Sequence, residues 1–134
     1  MPRTWSAILT LSLISGCATS LKVPEAVQAE LVPTGKLRAG MNLGNALFTT
    51  KDVATGELRG VSVDVMRELA SRLGVPVDFV VHATPGDVAD AAGAGTWDVA
   101  ILAIEQARAE KIAFSPAMTE IGRASCRERV YGLV

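Results

Sequence analysis

Residues 58–81, LRGVSVDVMRELASRLGVPVDFVV, read in succession as a loop, an amphipathic helix and a buried strand, and that reading decides the fold. Val65, Leu69 and Leu73 recur at four-residue spacing with Met66 and Ala70 beside them, while Arg67, Glu68, Ser71 and Arg72 fall on the opposite face. The spacing predicts one side against a core and the other in water. Ser62 is placed to cap the first turn, Asp64 sits where the helix dipole favours negative charge, and Gly74-Val75-Pro76 supplies the stop. Val77, Phe79 and Val81 then alternate with Asp78 and Val80, and the surplus of apolar residues predicts a strand covered on both faces, as in a parallel sheet. A helix feeding such a strand implies a βαβ crossover.

The flanks extend this pattern. Residues 37–41 form a predicted first strand entered by the Thr34-Gly35-Lys36 turn, and 42–48 a loop at its carboxyl end. Residues 51–60, KDVATGELRG, have the polar, glycine-bearing make-up of a hairpin-like excursion. Downstream, Thr84-Pro85-Gly86-Asp87 marks a helix start, with Pro85 at the first helical position and Asp87 at capping-box spacing. Val88, Ala91 and Ala92 give that helix a thin apolar stripe, and residues 99–102 predict a third buried strand. One or two helical turns are expected over 105–111, and extended chain resumes at Ala113-Phe114-Ser115-Pro116, where Pro116 bars a following helix. The alternation predicts an α/β fold with a mainly parallel sheet.

Composition narrows the function classes. The 134 residues allow one domain, and 49% hydrophobic with 20% charged residues describes a globular chain. A net charge of −1, with no basic face or aromatic ladder, argues against nucleic acid as a partner. Enzyme signatures are missing. His82 is the single histidine and reads as a strand-end residue, which makes neither a conventional metal site nor a Ser/His/Asp triad convincing, and no catalytic residue, metal or cofactor is expected. Asp87 and Asp90 read as helix-start acids, and Gly93-Ala94-Gly95 follows a helix rather than a strand, which does not suit a dinucleotide fingerprint.

The amino terminus is more specific. Arg3, an apolar run from Trp5 to Ile14, and Ile14-Ser15-Gly16-Cys17 together resemble a bacterial lipoprotein signal, and the run is too short to span a membrane. That resemblance implies a signal peptide over 1–16 and lipidation of Cys17, against the alternative of an ordinary cysteine after a plain secretory signal. Residues 17–35 mix small and polar residues with Pro24 and Pro33 and read as a tether, within which a short helix over 24–31 is an open possibility.

Five motifs in order, Leu37-Arg38-Ala39-Gly40, Gly60-Val61-Ser62-Val63-Asp64-Val65, Leu73-Gly74-Val75, Gly95-Thr96-Trp97-Asp98-Val99-Ala100 and Arg108 followed by Phe114-Ser115-Pro116, resemble the family 3 extracellular (periplasmic) solute-binding proteins over residues 37–120. The resemblance implies a type II periplasmic-binding-protein fold, here the N-terminal part of the first of two lobes (36–120), closing on a small polar solute for an ABC-type importer. It further implies a periplasmic, lipid-anchored, non-enzymatic protein whose partners are the solute, a transporter permease and the membrane. Arg108 matches the family arginine that clamps a ligand carboxylate, as suits a planar fork of donors; the alternative is a solvated arginine paired with Glu105 or Glu110. Asn42 matches a ligand-facing loop position, with a turn-forming role as its alternative, and Phe48 is a candidate aromatic platform whose alternative is core packing. The chain departs from the family pattern at Leu43-Gly44-Asn45-Ala46-Leu47, at Ser62 in place of the usual acid, and at the short, threonine-free Leu102-Ala103-Ile104-Glu105-Gln106. The solute that the resemblance implies is an amino acid or another small carboxylate. Other readings on the same fold are an enzyme, such as a dehydratase or the regulatory lobe of a peptidoglycan lyase, and a receptor sensing domain.

Residues 121–134, IGRASCRERVYGLV, break the pattern with three arginines and a cysteine. The common sequencing adapter, read as ATC GGA AGA GCG TCG TGT AGG GAA AGA GTG, encodes Ile121 through Val130 in order. The expectation is therefore an adapter-derived tail on an N-terminal fragment, inactive alone, in which Cys126 has no redox role; the alternative is a genuine basic tail.

Overall fold

The computed structural model describes residues 23–121 and 129–133. The expected first strand is β1 (Leu37–Asn42), and the excursion is a hairpin of β2 (Thr50–Lys51) and β3 (Leu58–Arg59). The Asp52 carboxylate closes that hairpin by accepting N–H bonds from Ala54 and Thr55 at 2.9 and 2.8 Å. There follow α2 (Val61–Leu73), β4 (Val77–His82), α3 (Pro85–Asp90), β5 (Val99–Ala103), α4 (Gln106–Ala109), β6 (Thr119–Ile121) and β7 (Arg129–Leu133). The main sheet runs β4-β1-β5-β7-β6, parallel across β4, β1 and β5 and antiparallel beyond. Alternate residues of β5 divide between two cores. Val99 and Ile101 join Leu37, Ala39, Val63 and Met66, whereas Ala100 and Leu102 join Val88, Trp97 and Phe114, so the sheet is covered on both faces at β5.

Three local readings need correction. Helix α2 begins at Val61 and is not capped by Ser62, which is itself buried inside the first turn. Gly60 precedes the helix at φ +124°, where a Cβ would lie 2.4 Å from the Phe48 carbonyl oxygen, and that carbonyl accepts the Ser62 N–H at 3.0 Å. A backbone acceptor from the preceding loop thus replaces the side-chain cap. Of the predicted stripe, Met66, Ala70 and Leu73 are buried and are joined by Val63, while Val65 and Leu69 are only half-buried at its edge. Finally, β4 is not covered on both faces: it is an edge strand, Val81 is 38% exposed, and the doubly buried strand is β5.

Other boundaries agree with expectation. Gly74, at φ +69°, closes α2 with N–H bonds from Gly74 to the Ser71 carbonyl and from Val75 to the Ala70 carbonyl. Thr84 and Asp87 form the reciprocal capping box at α3, 3.2 and 2.9 Å. The stretch assigned to a tether is described from residue 23, where it carries α1 (Glu25–Leu31); Gln28 bonds the Leu73 carbonyl and Val32 enters the core. Cys17 and Cys126 lie outside the described residues.

Candidate functional site

Strand order locates the site. From β1 the chain crosses through α2 to β4 on one side and then through α3 to β5 on the other, so the order reverses at β1. At such a reversal the loops leaving the carboxyl ends of adjacent strands diverge and leave a crevice. A small recess, with about 20 Å³ open to the centre of a water-sized sphere, lies there between the ends of β1 and β5. Its wall takes Asn42 from the end of β1, Ile101 to Ala103 from the end of β5, and Arg108 from α4. Asn45 and Phe48 come from the loop after β1, and Pro85 from the start of α3.

The three candidate ligand residues are therefore brought together. Arg108 is held through its Nη1, which donates to the Ala103 carbonyl at 3.0 Å and lies 3.4 Å from Glu105. The pairing with Glu105 foreseen as an alternative is present, but the arginine side chain is only 16% exposed. A guanidinium carries five donors in a fixed fork, so one gripped at Nη1 keeps others with which to meet a carboxylate. Phe48 is 8% exposed, and its carbonyl is fixed by the start of α2, so the residue lines the recess while packed rather than standing as an open platform.

Asn45 and Pro85 are lining residues that sequence reasoning missed. Asn45 makes turn bonds: its Oδ1 accepts the Leu47 N–H at 3.1 Å and its carbonyl accepts from Phe48 and Thr49. An Asn two residues before an apolar pair reads only as a turn. Pro85 carries the capping signal of α3, which masks its second position beside Gly44, where a Cβ would come within 2.9 Å of its ring. His82 ends β4 opposite Asn42, and its buried Nε2 has no hydrogen-bond partner among the described residues.

Two of the five motifs prove to be one structural clamp at the opposite ends of the strands. Arg38 grips Asp98 through Nε at 3.0 Å and through Nη2, its own N–H reaches the same carboxylate at 2.9 Å, and Nη1 bonds the Gly95 carbonyl. Burial would push the Asp98 carboxyl up, but the bonds and charge of Arg38 together outweigh it, and the carboxyl lies below its usual value. Trp97 donates to the Val88 carbonyl at 3.1 Å and covers Gly40, where a Cβ would sit 3.1 Å from the indole. Among the described residues there is no group of three metal-ligating side chains, and no helix is long and apolar enough to cross a membrane.

Residues 37–127 match the bacterial extracellular solute-binding proteins, family 3, a match that runs past Glu120. Among solved structures, the arginine-bound form of domain 1 from TmArgBP (T. maritima) is 27% identical with a TM-score of 0.64, over 78% of this chain and 82% of that one. An ancestral cyclohexadienyl dehydratase is 29% identical, TM-score 0.63, over 71% and 39%. A binding component of an ABC transporter from Wolinella succinogenes, complexed with lysine, is 27% identical, TM-score 0.60, over 66% and 38%. The chain thus spans about two fifths of the latter two but most of domain 1. No curated protein matches it.

Proposed function

Because the chain belongs to the bacterial extracellular solute-binding proteins of family 3, we propose that it is the first lobe of the substrate-binding component of an ABC-type importer, taking a small carboxylate at the recess between β1 and β5. The observation that carries this reading is the convergence of Arg108, Asn42 and Phe48 on one recess at the point where strand order reverses. Arg108 clamps the carboxylate, Asn42 supplies a directional polar contact at the end of β1, and Phe48 forms an apolar wall. The arginine-bound form of domain 1 from TmArgBP favours binding by such a lobe over the inactivity expected of a truncated one.

The dehydratase alternative has a structural neighbour behind it. Dehydration needs one group to take a proton and another to protonate the departing hydroxyl. Among the described residues the recess offers a guanidinium and two amides, with no carboxylate, imidazole or thiol, which favours binding without turnover. Calorimetric titration with small carboxylates, with product analysis of the same mixtures, tests the choice. Binding with no product is expected, and Arg108→Ala should weaken it by about 2–5 kcal/mol as a buried charge pair is lost; unchanged affinity in that variant would remove Arg108 from the site.

The protein's extracytoplasmic place follows from its family; its attachment there is proposed to be through Cys17. Cys17→Ser should abolish labelling by a fatty-acid probe and release the protein from the membrane fraction. Labelling that persists in the variant would contradict the anchor.

A further inference from the structure

Resting on the reading above, we infer that this lobe selects carboxylates whose remaining part is uncharged and discriminates against cationic amino acids such as those named for two of its structural neighbours. The charge inventory of the recess carries the argument. Among the described residues, Arg108 is the only ionised side chain on its wall, accompanied by Asn42 and Asn45 and by apolar residues including Phe48 and Pro85. A guanidinium or ammonium entering with the carboxylate would meet a like charge and no counter-ion on this wall, and an unpaired cation taken from water is strongly disfavoured.

Two carboxylates that stand within three residues of the wall in the chain, Glu105 and Asp87, already have partners. Glu105 lies 3.4 Å from Arg108 Nη1 and is half-exposed outside the recess wall. Asp87 accepts the Thr84 N–H at 2.9 Å in the capping box. An aromatic cage is not available either, since Phe48 is the single ring on the wall and is itself packed. The amides, by contrast, suit a neutral polar end, each offering donors and an acceptor without a charge to be neutralised.

Competitive calorimetry of the 134-residue chain with succinamate, 4-methylpentanoate, L-arginine and L-lysine, alongside Arg108→Ala, separates the two levels of the claim. Expected is binding of succinamate or 4-methylpentanoate, carboxylates with no second charge, at least tenfold tighter than either cationic amino acid, lost in Arg108→Ala. A margin below tenfold, or tighter binding of L-arginine or L-lysine, with the Arg108 dependence retained, would overturn the selectivity and leave the carboxylate site standing. Failure of all four to bind would remove the carboxylate site itself, and the selectivity with it.

Discussion

Arg108 and Asp98 show how differently two charged residues can be legible. Arg108 is found from its resemblance to a family position, and the structure gives it a place in a recess, gripped by the Ala103 carbonyl. Asp98 falls in a quoted motif, but nothing in its neighbourhood in the chain announces a partner sixty residues away. Only the pairing of β1 with β5 brings Arg38 to it. The folded Asp98 carboxyl lies below its ordinary value. The clamp therefore contributes fully above the unfolded value of about 3.9, and that contribution is lost as pH falls through the folded value. Asp98→Asn should lower the urea midpoint near neutral pH, and the gap to wild type should narrow on acidification below about pH 4. A gap independent of pH would show that the charge of Asp98 contributes nothing.

At the scale of elements, capping and periodicity were read with unequal success for physical reasons. The box at α3 is local, Thr84 and Asp87 three residues apart, so sequence suffices; Thr84→Ala should cost about 0.5–2 kcal/mol in denaturant unfolding. The start of α2 is set by the Phe48 carbonyl instead, a tertiary acceptor that no local pattern contains. The apolar face of α2 was read only in part: Met66, Ala70 and Leu73 are buried as expected, but Val63, which fits a helical stripe as well as Val65 does, joins them while Val65 and Leu69 are half-buried. Met66→Ala should therefore cost about 2–5 kcal/mol, the range for emptying a buried site, and Leu69→Ala clearly less. Equal losses, measured as urea midpoints, would restore the predicted face. Strand β4 was read as doubly buried because its composition is apolar, yet position in the sheet, which composition does not encode, leaves it at the edge.

At the scale of the molecule, the α/β class and mainly parallel sheet were legible from the alternation of elements, but the order β4-β1-β5 was not, and it is this order that makes the site. The far side of β5, a fully buried strand, is paired by β7, in the stretch read as adapter-derived. We propose that the natural chain departs from this one after Glu120. Re-amplification from adapter-free source DNA is expected to run on in frame into further α/β sequence; recovery of the same IGRASCRERVYGLV tail would sink that proposal. Binding at the recess tests the account independently of the tail. The most direct measurement is an amide chemical-shift map of the chain titrated with millimolar succinamate. Shifts concentrated at Asn42, Phe48, Ala103 and Arg108 are predicted, and shifts confined instead to the groove beside Trp97 and Phe114 at the opposite ends of the strands, or no shifts at all, would contradict it.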